Sequence, residues 1–247
     1  MGDIQTIKNE IYKISAISDR GQRFNKLIAP IYKDKEERIK ELIAEIEKHS
    51  QEITEEILSG NWELIFSTVE LFRSSPFFLA IEKALNNRDK SNLFFKLHLL
   101  QVGSFGISTI GRVFQKIDFD NRVFVSTFDT TIFGLTVIPF LGWFKILPTF
   151  GGRVTTIADQ ILLNNKILSM KVQKTRVTKI DGLNQIPYIN KWVMDKWYPV
   201  NQIWIKLPWN KSEPECEIST IYIDENLRIT KSMFGDIFIY IKQDNLP

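Results

Sequence analysis

From Gly60 onward the chain is built mainly of short β-type runs, and this pattern most restricts the folds open to it. The first run, NWELIFST at 61–68, alternates and places Trp62, Leu64 and Phe66 on one face. A sheet of about eight such strands tends to close on itself, because closure removes its edges. The pattern therefore predicts an antiparallel barrel able to hold one small ligand. The further β-type runs are 109–118, 122–132, 152–163, 167–180, 202–207, 216–224 and 236–242.

Residues before Gly60 have a helical pattern instead. Apolar side chains recur there at three- and four-residue steps, and charged side chains fill the opposite face. We predict an N-terminal helical segment at 1–58 and a β-barrel domain at 59–247, an α+β protein whose amphipathic helices pack on the barrel. Two helical interruptions of the barrel are expected, at 75–87 and 188–198. The recurring apolar residues are Ile4, Ile7, Ile11, Ile14, Ile39, Leu42, Ile43 and Ile46.

The composition excludes several classes of function. Lys and Arg number 32 against 29 Asp and Glu, a balance that argues against nucleic acid as a partner. Cys216 is the one cysteine, so an internal disulfide is impossible and a reducing compartment is expected. The N-terminal residues lack the apolar run of a secretory signal, which predicts a protein that is not secreted.

The sequence offers few groups for catalysis. His49 and His98 are the two histidines, and neither belongs to a metal or catalytic motif. His98 lies in the apolar run FFKLHLLQV, which we interpret as a strand with a structural histidine. Cys216 has no visible histidine partner and lies among glutamates, which would raise its pKa. We therefore predict no catalytic residue, no cofactor-binding residue and no metal ligand, and a protein that is not an enzyme.

The tract 131–152 is nearly all apolar, with Lys145 as its one charge. Its length approaches that of a transmembrane helix, but prolines and glycines interrupt it, and a membrane span would separate two strands expected to pair. A buried strand followed by a loop is one interpretation. An apolar loop at the barrel mouth that touches lipid is the other, with Phe140, Trp143 and Phe144 as the contacting residues.

A basic stretch, KVQKTRVTK at 171–179, places Lys174 and Arg176 on the same side of a strand. Basic residues on a strand surface usually form a solvated face. The alternative is contact with anionic head groups or a diphosphate.

Two separated motifs resemble the ends of a lipocalin-like barrel. The G-x-W at Gly60, Asn61 and Trp62 resembles the first-strand mark of such barrels, in which an arginine from a late strand packs across the indole. Arg228, in DENLRI, is the candidate. The resemblance implies that Gly60, Trp62 and Arg228 close one end of the barrel, and that the last hairpin pairs back to the first strand.

More specifically, the chain resembles the plastid lipid-associated protein / fibrillin family. The matching pieces occur in order, and the last of them is the most specific. They are ISDRG at 17–21, LSGNWELIFST at 58–68, SPFF at 75–78, GRVFQKIDFDNRVFV at 111–125 and YIDENLRITKSMFGDIFIYIK at 222–242. The tract 131–152 departs from the family pattern, being longer and more apolar than expected.

The resemblance implies a non-enzymatic protein that binds or organises carotenoids, prenylquinones or acyl lipids at thylakoids or lipid globules. The expected location is a plastid, or the cytoplasm or thylakoid periphery of a cyanobacterium. The alternative is a scaffold with a filled barrel that docks on a membrane or on an enzyme of lipid synthesis. The partners are then an apolar molecule or lipid and a peripheral membrane surface. The expected ligand-lining residues are Leu64, Phe66, Phe114, Val125, Phe128 and Ile157.

Overall fold

A computed structural model describes most of the chain, in nine stretches. These stretches are 3–24, 29–103, 107–133, 135–136, 145–146, 150–164, 166–180, 194–204 and 213–245. The helices are α1 (Ile4–Ile17), α2 (Lys33–Ile46), α3 (Glu55–Leu58), α4 (Pro76–Leu85), α5 (Arg88–Gly103) and a five-residue helix Val200–Trp204, with 3-10 turns at Ala29–Tyr32, Glu47–His49 and Leu71–Ser74. The strands are β1 (Gly60–Ser67), β2 (Ile107–Asp118), β3 (Val123–Phe133), β4 (Leu135–Thr136), β5 (Lys145–Ile146), β6 (Phe150–Leu163), β7 (Ile167–Lys179), β8 (Tyr198–Pro199), β9 (Glu215–Ile223), β10 (Leu227–Lys231) and β11 (Ile237–Gln243).

Eight strands form a closed antiparallel barrel, as the sequence predicts. They follow the order β6-β3-β2-β1-β11-β10-β9-β7, and pairing of β7 with β6 closes the ring. The two-residue strand β8 adds to the edge of β7, and β4 pairs with β5 as a separate two-stranded ladder. Closure leaves the barrel strands without exposed edges along most of their length.

The last strand pairs with the first. β11 lies antiparallel to β1, with Trp62 opposite Lys242 and Leu64 opposite Tyr240. On its other side β1 pairs with β2, where Trp62 faces Gln115. The hairpin β10–β11 therefore completes the ring that β1 begins.

Three sequence-based assignments are wrong. The helix expected at 188–198 is not found in its described part, because 194–197 are not helical and Tyr198–Pro199 is strand β8. The run around His98 is not a strand but the second half of helix α5, in which Phe95 and His98 lie one turn apart and both contact Phe72. The predicted strand at 202–207 begins as helix, since Val200–Trp204 is helical. In the segments around His98 and at 202–207, the apolar run is too short for its pattern alone to distinguish a buried helix from a buried strand.

Helices α1 and α2 pack on the outside of the barrel. Their apolar stripes form one buried cluster with outward-facing residues of β1, β9, β10 and β11. An ion pair between Lys8 and Asp224 lies in the same interface, and Asp224 also accepts hydrogen bonds from the Tyr222 hydroxyl and from the backbone N–H of Asn226 and Leu227. Burial raises the pKa of Asp224, but these donors outweigh it and lower the pKa below its ordinary value.

Candidate functional site

One end of the barrel is filled by an aromatic and cationic plug. Trp62 is fully buried, and its indole N–H donates to the carbonyl of Leu58 at 2.9 Å. The Arg228 guanidinium carbon lies 5.1 Å from the centroid of the Trp62 ring and 4.4 Å from that of Tyr240. Stacking of a desolvated guanidinium on aromatic faces stabilises such a pair by about 2 kcal/mol or more.

Arg228 is held without a carboxylate partner among the residues that the structure describes. It donates to the side-chain oxygen of Gln115, whose amide nitrogen donates to the Tyr240 hydroxyl at 2.9 Å and to the carbonyl of Ser74 at 3.2 Å. Burial lowers the pKa of Arg228 to about 10, which still leaves it charged at neutral pH. Burial likewise raises the pKa of Tyr240 to about 12.

Gly60 lies at the rim of this plug. Its φ is +125°, and a Cβ there would lie 2.9 Å from Cε of Lys242. The Lys242 ammonium in turn lies 5.2 Å from the Trp62 ring centroid. The three residues expected to close the barrel, Gly60, Trp62 and Arg228, thus lie at one end of it.

The opposite end of the barrel contains a cavity of about 600 Å³. Four strands form its wall, the 71–78 segment and α5 cover it, and the turn after α1 forms part of its rim. Most of the lining is apolar. The lining residues are Thr109, Ile110, Phe128, Thr130, Val154, Thr156, Thr175 and Val177 from the strands, Leu71, Phe72, Phe77, Phe78, His98 and Leu99 from the cover, and Asp19, Arg20, Gln22 and Glu70 at the rim.

The cover of the cavity is an aromatic cluster. Phe72 and Phe78 pack edge to face with ring centroids 4.8 Å apart, and the His98 ring stacks parallel to Phe94 at 6.5 Å. Burial lowers the pKa of His98, so its imidazole is neutral at physiological pH. His98 therefore presents an uncharged ring to the cavity.

The rim is positioned by the turn that follows α1. Arg20 donates to the carbonyl of Ile110 at 3.0 Å and to that of Gly111, and Ser67 N–H donates to the Arg20 carbonyl at 3.0 Å. Gly21 has a φ of +86°, and a Cβ there would lie 2.3 Å from the Ser67 carbonyl oxygen. The sequence motif 17–21 thus joins the helical layer to the edge of the cavity.

An ion cluster fixes the cover to the closing hairpin. Arg73 donates to Glu82 at 2.7 Å and lies 3.4 Å from Asp236, and Arg88 donates to Asp236 at 2.9 Å. Three of these four side chains are buried. The segment that covers the cavity is therefore tied to the turn between β10 and β11, far away in sequence.

A second groove, of about 650 Å³, lies beside the turn between β6 and β7, at the end of the barrel away from the cavity. Polar and charged residues such as Glu47, Gln51 and Lys166 supply most of its lining. Small-molecule sites are mostly apolar with a few polar groups, a description that fits the 600 Å³ cavity better.

Of the six residues expected to line a ligand site, the structure places one in the cavity wall. Phe128 lines the cavity, and Leu64 faces the barrel interior within its packed core. Phe66 instead faces outward and packs beneath α1 and α2, because a bulge between Leu64 and Phe66 shifts the alternation by one residue.

The other three residues lie on the outer side of their strands. Val125 pairs with Ile157 on β6 and with Lys116 on β2, while the inward positions on either side of it are Phe124 and Ser126. Phe114 lies opposite Glu63, and the Arg112 guanidinium covers its ring at 4.6 Å. Val125 and Phe128 are an odd number of residues apart in one strand, so they cannot share a face.

The other residues singled out in the sequence are three aromatic residues of the apolar tract, one cysteine and two basic residues. Phe140, Trp143 and Phe144 lie outside the described residues. Cys216 is buried, and burial raises the pKa of its thiol far above neutrality. Lys174 and Arg176 both lie over the Trp197 ring, at 4.8 and 4.5 Å from its centroid. No helix within the described stretches has the length and hydropathy needed to cross a membrane.

Sequence reasoning missed the rim and the cover of the cavity. Arg20 and Gly21 belong to a motif that carried the family resemblance, but their role depends on contacts with β1 and β2. His98 and Leu99 were assigned to a strand, so their helix could not be placed over the cavity. The threonines of the wall are ordinary strand residues in sequence.

Comparison with known proteins gave one match. The profile of the family described as PAP_fibrillin matches residues 16–241, most of the 247-residue chain. No curated protein and no solved structure matches the chain.

Proposed function

The chain belongs to the PAP_fibrillin family, and from this premise we propose that it binds one apolar small molecule in its barrel and carries out no reaction on it. The cavity of about 600 Å³ is the observation that carries this proposal. Its volume falls in the range of ligand pockets, and its wall and cover are mainly aliphatic and aromatic. Carotenoids, prenylquinones and acyl lipids are the ligand classes that we propose.

The energetics suit such a ligand. Each 100 Å² of apolar ligand surface removed from water contributes about 2.5 kcal/mol, against an association cost of about 4–15 kcal/mol. A molecule that fills the cavity can therefore bind with few polar contacts. The aromatic cover is already packed, which limits the ordering required when a ligand enters.

A non-enzymatic role is supported by the groups that face the cavity. Arg20 uses its guanidinium to hold two backbone carbonyls, and His98 is neutral and surrounded by phenylalanines. Neither is hydrogen-bonded to a nucleophile or to a second titratable group in the described part of the chain. General acid–base catalysis requires such positioned pairs.

We expect Val154→Phe to abolish binding of all-trans-retinol, a fluorescent isoprenoid probe small enough for the cavity. The added ring would project from the wall into the space that the ligand needs. Titration of retinol fluorescence measures the effect, and we expect affinity to fall by about 100-fold or more.

Val125→Phe is the matched control. Val125 lies on the adjacent strand but on the outer face of the barrel, so its enlargement leaves the cavity unchanged. Equal loss of binding in the two variants, or unchanged binding in Val154→Phe, would contradict the cavity as the site.

A second candidate function, docking on a lipid surface, is favoured by one face of α5. Leu93, Leu97 and Leu100 lie on one helical stripe and are 58%, 57% and 69% exposed. Three exposed leucines at this spacing form an apolar patch on a helix that also lines the cavity through His98 and Leu99. We propose that this face meets the membrane or lipid globule that supplies the ligand, together with Phe140, Trp143 and Phe144.

Replacing Leu93, Leu97 and Leu100 by serine should reduce flotation with liposomes of plastid-type lipids by about fivefold or more. The reason is that these leucine side chains can no longer enter the bilayer. Ile161→Ser is the matched control, since Ile161 is 56% exposed but lies on β6 at the far end from the cavity. Flotation unchanged in the triple variant would exclude α5 as the docking face. Serine at 140, 143 and 144 tests the apolar tract in the same assay.

Our proposal for the cellular location also starts from membership of the PAP_fibrillin family. We propose a thylakoid or plastoglobule association in a plastid, or the thylakoid periphery of a cyanobacterium. The apolar cavity and the exposed leucines of α5 support a site close to lipid.

A further inference from the structure

Three hydroxyl side chains lie side by side on the inner wall at the base of the cavity. Ser126 on β3 pairs with Thr156 on β6, and Thr156 pairs with Thr175 on β7. We call these three residues the hydroxyl row. Thr156 and Thr175 line the cavity, and Ser126 is buried beside them.

The hydroxyl row lies between two apolar layers. Toward the mouth the same three strands contribute Phe128, Val154 and Val177, which line the cavity. On the other side they contribute Phe124, Ala158 and Val172, which are buried in the core. Because this deeper layer is tightly packed, the hydroxyl row forms the floor of the cavity, where the leading end of an entering molecule would stop.

The hydrogen bonds within the hydroxyl row leave some hydroxyl donor and acceptor positions available to a ligand. Thr175 donates to the carbonyl of Thr155 at 3.1 Å, and its oxygen lies 3.3 Å from that of Thr156. The Ser126 hydroxyl has no partner among the described residues although it is 1% exposed. A buried hydroxyl without a partner costs free energy that a ligand oxygen would recover.

Charged ligand ends are disfavoured at the same place. Arg20 is the cation among the described lining residues, and it lies at the rim with its guanidinium bound to the carbonyls of Ile110 and Gly111. Asp19 and Glu70 add two negative charges to that rim. A carboxylate or phosphate would pass these groups and then lose its hydration with no cation beside it.

We propose that the cavity selects isoprenoid-type molecules that end in a neutral oxygen function, a hydroxyl or a carbonyl, and that this oxygen binds the hydroxyl row while the hydrocarbon chain extends toward the mouth. This inference rests on the proposed function and names its ligand class. It separates quinones and oxygenated carotenoids, which carry such an end, from fatty acids and phospholipids, whose ends are ionised.

All-trans-retinol and all-trans-retinoate test the inference, since they share one hydrocarbon skeleton and differ in their end group. At pH 7.5 we expect retinol to bind at least about tenfold more tightly than retinoate. The variant Ser126→Ala/Thr156→Val/Thr175→Val should reduce retinol affinity about tenfold and leave retinoate affinity unchanged. Thr155→Val is the matched control, because Thr155 lies on the outer face of the same strand.

Ser126→Ala alone guards against loss of folding in the triple variant. It removes a buried hydroxyl that has no partner among the described residues, so the free energy of unfolding should be unchanged or raised while retinol affinity falls. Retinoate binding as tightly as retinol, or retinol affinity unchanged in both variants, would overturn the inference. Failure of retinol and retinoate alike to bind the unaltered protein would instead refute the proposed function.

Discussion

Trp62→Ala is expected to lower the free energy of unfolding by about 3–5 kcal/mol, the range for removal of a large aromatic side chain from a core. Trp62 is fully buried and its indole forms one side of the plug. Its loss would leave a cavity beside Arg228, a buried cation whose stacking partner would be gone. Urea-induced unfolding followed by circular dichroism measures the change.

Trp197→Ala is the control for this result. Trp197 is 37% exposed and stacks with Lys174 and Arg176 on the barrel surface, so its removal should cost about 1 kcal/mol or less. If the two variants unfold at the same urea concentration, Trp62 is not the plug of the closed end.

Gly21→Ala is expected to destabilise the protein by about 3 kcal/mol through two separate effects. Its φ of +86° is strained for any residue with a Cβ, and the added Cβ would lie 2.3 Å from the Ser67 carbonyl oxygen. The chain would have to move away from β1, which would break the Ser67 to Arg20 hydrogen bond and displace Arg20 from the cavity rim. Unfolding midpoints and retinol titration report the two consequences.

Gly235→Ala separates the two effects. Gly235 has nearly the same φ, +87°, but an added Cβ meets the Lys231 side chain at an ordinary 3.5 Å. This variant should therefore show backbone strain alone, about 1 kcal/mol, and unchanged retinol affinity. Equal destabilisation in the two variants would show that the contact between Gly21 and Ser67 has no energetic role.

The periodicity of apolar residues was enough to predict the closed antiparallel barrel and the N-terminal helices α1 and α2. Strand formation depends on neighbouring residues, and barrel closure follows from the general cost of exposed edges. The pairing of Trp62 with Arg228 came from two separated motifs that resembled a known family, and the structure brings these side chains within stacking distance. Short-range pattern and family resemblance thus determined the architecture.

The face on which each strand residue lies was decided by the tertiary structure. One bulge at Leu64–Phe66 turns Phe66 from the interior to the helical layer, and Phe114, Val125 and Ile157 lie on the outer side. Side chains alternate with a period of two, so an error of one residue in the phase exchanges inside for outside. The phase depends on which strands pair and at what register, and that information is not local.

The cavity depends on still longer-range relations. Its wall comes from four strands, its cover from the 71–78 segment and α5, and its rim from the turn after α1. An ion cluster that includes Arg73 and Asp236 fixes the cover. The sequence by itself determined that this chain forms a barrel with an apolar interior. Only the tertiary structure decided which end is filled and which is hollow, because empty space results from the packing of elements far apart in the chain.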